Sequence, residues 1–182
     1  MLTDLQQKKL PNLFNLHDAD DDGVLRKSDY NRVAQEIAQA RGLEVGSTEE
    51  KELRSRFSTA WDSMSTMADT DQGRGVTLDG WYSYWETVLS TEGMYDDVVS
   101  PIGEFVFYLL GQDGSGVVSF DEYMTFCSIM GLDQEVAEDV FSRLDLDADG
   151  SLSRGEISVL LEQYFCSDDP AAPGNWFFGP YE

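Results

Sequence analysis

A chain of 182 residues with 35 Asp and Glu against 12 Lys and Arg carries a formal net charge of −23, which repels phosphate backbones and anionic leaflets and argues against nucleic-acid or membrane-surface partners. Its longest apolar run, residues 105–110, falls far below the roughly 20 residues that span a bilayer, and no signal-peptide core opens the chain, so a cytoplasmic location is expected. Hydrophobic residues still make up 41%, enough for a folded core, while two cysteines and one histidine supply no disulfide framework, zinc site or His-assisted nucleophile, so no enzyme is expected.

From the N-terminus, a helical pattern holding Leu10, Leu13 and Phe14 leads into residues 18–29, the first of four short segments rich in Asp, Gly and Ser. The others are residues 69–80, 111–122 and 145–156. Such recurrence marks repeat units. The eighth residue of every segment is apolar: Leu25, Val76, Val118 and Leu152. A helix is predicted after each segment. Its apolar stripe is Tyr30, Val33, Ala34 and Ile37 in the first unit and Trp81, Tyr84, Trp85 and Val88 in the second. Tyr123, Phe126, Cys127 and Met130 form it in the third, and Ile157, Leu160, Leu161 and Tyr164 in the fourth. Spacings of three and four place each set on one helical face, which reads as core. Val106, Phe107 and Leu110 precede the third segment and Val140, Phe141 and Leu144 the fourth, whereas the second is preceded by a weaker set, Trp61, Met64 and Met67.

The connections carry helix signals. Ser47-Thr48-Glu49-Glu50 reads as a capping box, and Asp133, with Glu135 in the first turn, as the cap of the helix entering the fourth unit. Ser100-Pro101 suits a helix start or a kink in a longer helix, and Gly131 ends the third unit. Residues 90–100 separate two pairs, so the predicted organisation is an N-terminal pair over 1–90, a C-terminal pair over 91–166 and a tail over 167–182.

Calcium takes six to eight oxygen ligands, and a twelve-residue loop supplies them from carboxylates or hydroxyls at positions 1, 3 and 5, a carbonyl at 7 and a two-oxygen carboxylate at 12, with glycine at 6 for the turn. The fourth segment meets every requirement with Asp145, Asp147, Asp149, Gly150, the Ser151 carbonyl, Ser153 at position 9 and Glu156. The first offers Asp18, Asp20, Asp22, Gly23 and the Val24 carbonyl, but it closes with Asp29. That arm is one methylene shorter, which favours one-oxygen ligation and brings magnesium into competition. Arg26 at its position 9 cannot ligate, so water is expected there. In the third, Gly111 replaces the first carboxylate, leaving Asp113, Ser115, the Val117 carbonyl, Ser119 and Glu122 for weaker binding. The second keeps Asp69 and Asp71 but has Gly73, Arg74 and Gly80 at positions 5, 6 and 12, so its ion is lost, although Val76 can still pair in a ribbon. Fifteen of the 35 acidic residues lie in these loops. Two carboxylates ~5 Å apart repel by roughly 3 kcal/mol at an effective dielectric near 20, so cation binding should stabilise the fold.

These residues are the EF-hand signature. An intact first and fourth loop, Asp closing the first, a decayed second and a long first linker together resemble the sarcoplasmic calcium-binding proteins and the bacterial calerythrin-like proteins, over residues 10–166. The resemblance implies an all-α fold of four helix-loop-helix units in two paired lobes whose apolar faces press together, with short two-residue β-ribbons between paired loops. Gly111 departs from relatives that keep a working third loop.

In the tail, Pro170, Pro173 and Pro180 prevent a helix, yet Trp176, Phe177, Phe178 and Tyr181 are sticky. It is either a disordered end or a plug folded into the groove between lobes, and the resemblance favours the plug. The leading expectation is a monomeric calcium buffer with two strong sites, calcium ions being its partners. The alternatives are a calcium sensor that grips a target helix and a carrier of a hydrophobic ligand such as coelenterazine. Light-producing oxidation would need several His-Trp-Tyr groupings, and the chain has only His17.

Overall fold

The four apolar residues at loop position eight are among the most deeply buried in the chain. In the computed structural model Leu25, Val76 and Val118 have no exposed surface and Leu152 only 1%, worth about 1.5–3 kcal/mol for each large aliphatic side chain. Each lies on a short strand paired with its counterpart from the neighbouring loop. β1 (Val24–Leu25) runs antiparallel to β2 (Val76–Thr77), with Leu25 opposite Val76. β3 (Val117–Ser119) likewise pairs with β4 (Ser151–Ser153), Val118 opposite Leu152. The first ribbon has the two residues expected, and the second extends to three.

The structure describes residues 1–68, 73, 75–111, 114–129 and 132–181. Among them, eight α-helices flank the loops in pairs. They are α1 (Asp4–His17) and α2 (Lys27–Ala40), α3 (Thr48–Ala68) and α4 (Leu78–Ser90), α5 (Met94–Leu110) and α6 (Phe120–Ile129), and α7 (Gln134–Leu144) and α8 (Arg154–Cys166). A short 3-10 helix, Pro173–Trp176, follows. Met130, the last residue of the predicted third stripe, and the predicted stop at Gly131 lie outside the described residues.

Two compact units result, one of residues 13–87 and one of residues 88–182 together with 1–12. In the first, α2 packs along α3, and the whole predicted stripe of α2 is buried. On α3 the buried face is Leu53, Phe57, Trp61, Met64 and Ala68, whereas Met67 is 39% exposed. Helical periodicity anchored on Leu53 and Phe57 turns Met67 outward. Aromatic edges fill the centre: Tyr30 meets Trp61 at 5.4 Å and Phe57 at 6.4 Å, and Trp81 meets Trp85 at 5.7 Å. Ser47 caps α3 by accepting from the Glu50 N–H at 3.1 Å, but the Glu50 carboxylate accepts from Gly46 N–H, held there by Arg54. The return half of the capping box is therefore shifted by one residue.

In the other unit Asp133 caps α7 through the Glu135 N–H at 2.9 Å, and Cys127 is a buried free thiol. Pro101 does not start a helix. It lies inside α5, which begins at Met94 behind a left-handed Gly93, so most of the separator predicted over residues 90–100 is helical. Burial of Val99, Phe107, Leu109 and Leu110 on one continuous helix outweighs the backbone hydrogen bond that proline forfeits.

Residues 1–12 join this unit through polar anchors. Lys9, with no exposed surface, donates to Asn175 Oδ1 at 2.8 Å and to the Gln163 and Ser167 carbonyls at 3.3 and 3.4 Å. Burial pulls its ammonium down to about 8, against the opposing pull of Asp168 and Cys166. Gln6 donates to the Phe165 carbonyl at 2.7 Å, and Tyr164 donates to the Lys9 carbonyl at 2.6 Å. The tail is folded back on the same surface. Gly174 lies so close to α8 that a Cβ would stand 2.2 Å from the Leu160 carbonyl oxygen. Phe178 stacks edge-on against Tyr164 at 4.8 Å, and the Arg143 guanidinium covers Trp176 at 4.4 Å.

Candidate metal centre

Loops one and four are built alike, residue by residue. Each begins where the entering helix ends: Asp18 N–H donates to the Phe14 carbonyl at 3.1 Å and Asp145 N–H to the Phe141 carbonyl at 3.0 Å. The position-one carboxylate then turns inward. Asp18 Oδ2 accepts from Gly23 N–H and Asp145 Oδ2 from Gly150 N–H, both at 2.9 Å. To turn so sharply, position four adopts left-handed backbone in both loops, at Asp21 (φ 57°) and Ala148 (φ 58°). Position six does so at Gly23 (φ 78°) and Gly150 (φ 86°), a region that favours glycine. The position-five carboxylate accepts from the position-seven N–H, at 2.9 Å for Asp22 and Val24 and 2.8 Å for Asp149 and Ser151.

Three carboxylates converge in each ring. Oxygens of Asp18, Asp20 and Asp22 lie within 4.8 Å of one another, and so do those of Asp145, Asp147 and Asp149. Each ring is an all-oxygen donor set, the kind a hard divalent cation takes.

The closing residues separate the loops. One oxygen of each reaches the position-nine N–H: Glu156 Oε2 accepts from Ser153 at 2.8 Å and Asp29 Oδ2 from Arg26 at 2.7 Å. The second oxygen of Glu156 crosses the loop to Leu146 N–H at 2.9 Å. Burial alone would push the Glu156 carboxyl up, but hydrogen bonds from Ser153, Leu146 and Asp147 hold it below the usual carboxylate range. Asp29 is one methylene shorter. It is wholly buried, and its Oδ1 has no hydrogen-bond partner among the described residues. Burial pushes its carboxyl up, and the hydrogen bond from Arg26 only partly opposes this. A buried acceptor without a donor, beside three converging carboxylates, is a place a cation fits.

Loops two and three differ physically. At position 12 of loop two, a Cβ on Gly80 would stand 2.9 Å from the Ala68 carbonyl oxygen, so no closing side chain fits there without a backbone shift. Asp69, Asp71 and Arg74 lie outside the described residues. In loop three a Cβ on Gly111 would meet Phe107 and the Val117 carbonyl oxygen at 3.3 Å, a tight fit for any carboxylate restored there. Ser115 Oγ donates to the Val117 carbonyl at 3.1 Å, and Glu122 Oε2 accepts from both Ser119 N–H and Oγ at 2.9 Å. Asp113 lies outside the described residues. His17 stacks on Tyr30 at 4.7 Å with Trp81 at 6.5 Å, its Nδ1 2.8 Å from the Leu13 carbonyl.

Sequence reasoning missed the partner of Arg26. Position 9 is left to water in that reading, yet the guanidinium donates to Asp22 Oδ2 at 2.6 Å and to the Val24 carbonyl at 3.1 Å. The i,i+4 spacing of Asp22 and Arg26 was the available signal.

The family described as EF hand matches residues 137–161, which contain loop four. Calerythrin of Saccharopolyspora erythraea is 22% identical over 166 residues, covering 90% of this chain and 94% of that protein. Among solved structures, the calcium-loaded apo form of a coelenterazine-binding protein from Renilla muelleri superposes with TM-score 0.73 at 21% identity, covering 98% and 99% of the two chains. A sarcoplasmic calcium-binding protein from amphioxus does so with TM-score 0.70 at 16% identity, over the full length of both. No helix of the described residues is long and apolar enough to cross a membrane.

Proposed function

We propose that this chain, an EF-hand protein resembling calerythrin and the sarcoplasmic calcium-binding proteins, is a monomeric, non-enzymatic calcium buffer of the cytoplasm with two strong sites, in loops one and four. The observation that carries this reading is the congruence of the two aspartate rings down to the left-handed fourth position. In this reading Asp18, Asp20, Asp22, the Val24 carbonyl and Asp29 hold one ion, and Asp145, Asp147, Asp149, the Ser151 carbonyl and Glu156 the other. The short Asp29 arm admits magnesium in competition at loop one. Loop three, lacking a first carboxylate, contributes at most a weaker site through Asp113, Ser115, Val117 and Glu122.

A buffer is favoured over a sensor by the tail. Gly174, Trp176 and Phe178 lie against α7 and α8, covering apolar surface that a target helix would need, and we read this segment as a permanent plug. Hydrophobic-dye fluorescence with and without calcium, in a magnesium background, tests the choice. A buffer gives little change, and a large calcium-dependent rise contradicts it.

A second reading, a carrier of an aromatic hydrophobic ligand, draws support from the His17, Tyr30 and Trp81 grouping and from the likeness to a coelenterazine-binding protein. Adding coelenterazine and following a calcium-released absorbance change tests it, and no bound absorbance contradicts it.

A further inference from the structure

We propose that Arg26 is a tethered counter-cation of loop one, which holds the ion-ligating oxygens at positions 5 and 7 and must leave them before a divalent cation can enter. The inference rests on the reading of loop one as a cation site and adds how that site is controlled.

The same guanidinium nitrogen donates to Asp22 Oδ2 at 2.6 Å and to the Val24 carbonyl at 3.1 Å. Asp22 and Val24 are positions 5 and 7 of the loop, two of the positions from which an ion would draw oxygens. Arg26 therefore sets one positive charge against the mutual repulsion of Asp18, Asp20 and Asp22, and the only other cation seen at this cluster among the described residues is Arg32, whose Nη2 stands at a looser 3.9 Å from Asp20 Oδ2. Loop four has no such device. Its position-nine residue is Ser153, whose hydroxyl donates to Glu156 Oε2 at 2.7 Å. Its nearest arginine, Arg154, is turned away to pair with Glu104 and to lie over the Phe107 ring. The basic residue next to Arg26 is likewise directed outward, Lys27 Nζ reaching Asp62 at 3.0 Å. Arg26 is thus, beside the shorter closing acid, a second difference between the two rings, and the one that touches oxygens of positions 5 and 7.

Its release is feasible. The Arg26 and Asp22 side chains are each 41% exposed, so a departing guanidinium moves into water rather than into core. The hydrogen bond that organises the start of α2 comes from the Arg26 backbone N–H to Asp29 at 2.7 Å and survives any side-chain change. Loop one consequently meets calcium with an internal competitor, and its affinity is set below that of loop four by the cost of breaking one charge-assisted contact.

The test uses the full chain carrying Glu156→Gln, so that loop four is silent, with and without Arg26→Gln. Calcium calorimetry should show the remaining site tightened by about three- to tenfold in the double variant. Its calcium-free melting temperature should fall by about 2–4 °C, because the emptied ring loses its counter-charge. Arg26→Lys, which keeps the charge but loses the planar fork, should lie between the two. If the melting temperature falls while calcium affinity stays the same, Arg26 is an ordinary surface ion pair and the inference is overturned, with loop one still a site. If Glu156→Gln alone leaves no calcium binding at all, the reading of loop one fails and takes the inference with it.

Discussion

Loops one and four carry the same three aspartates at the same spacing and fold them into the same ring, yet they are prepared for an ion in opposite ways. Loop four satisfies itself: both oxygens of Glu156 accept backbone hydrogen bonds, and its position-nine serine reinforces them. Loop one is under-satisfied at its closing acid, where Asp29 Oδ1 is buried without a partner among the described residues, and over-satisfied at its rim, where Arg26 contacts Asp22 and Val24. A ring of carboxylates is thus only half of a metal site. How its oxygens are occupied before the ion arrives sets the rest.

The sharpest break in the comparison comes from the closing acids. Glu156→Gln should weaken loop four by on the order of a hundredfold, and Asp29→Asn should do the same to loop one. Each leaves the other loop intact, as separate phases of a calcium titration would report. The next largest effect distinguishes the helices behind the loops. The tail braces α8, whereas α2 is braced by α3, so Gly174→Ala, which puts a methyl into the Leu160 carbonyl, should cost about 1–3 kcal/mol of stability. It should weaken loop four while sparing loop one. Quenching of Trp176 fluorescence by acrylamide would follow the undocking.

Without calcium, the two acids should also answer pH in opposite senses. The Asp29 carboxyl is raised by burial, so its ionised form costs stability. Asp29→Asn should therefore raise the calcium-free melting temperature at pH 7, and the gain should disappear as pH falls through that raised value toward 3.8. The Glu156 carboxyl is held low, so its ionised form stabilises. Glu156→Gln should lower the melting temperature at pH 7, and the loss should vanish only as pH falls below 4.5 through the depressed value. Melting curves in chelator from pH 7 to pH 3 check both signs. The smallest effect is expected from Asp29→Glu, which restores the longer arm and should improve calcium over magnesium at loop one by about three- to tenfold, as competition titrations would measure.

What the sequence made legible was whatever depends on residue type at fixed local spacing. The four loops, the apolar eighth positions, the stripe of α2 and the Asp133 cap all follow from short-range pattern. What it hid depends on contacts between distant residues or on reach in three dimensions. Nothing local says that Lys9 is wholly buried against Asn175, 166 residues away, or that residues 1–12 therefore join the C-terminal unit. Ser100-Pro101 fits either a helix start or a place inside a longer helix, and the burial of Val99 on the turn before it decides for the second. The lost closing acid of loop two was visible as Gly80, but not that the Ala68 carbonyl fills its place. At Arg26 the sequence reading stopped at its inability to ligate. Its charge, which pairs it with Asp22 four residues earlier, was the part left unused.

Anomalous diffraction from crystals grown with calcium tests the central claim most directly. The account predicts one ion inside the ring of Asp18, Asp20, Asp22 and Asp29, with the Arg26 guanidinium displaced, and one inside the ring of Asp145, Asp147, Asp149 and Glu156. Ordinary solvent in both rings at saturating calcium would contradict it.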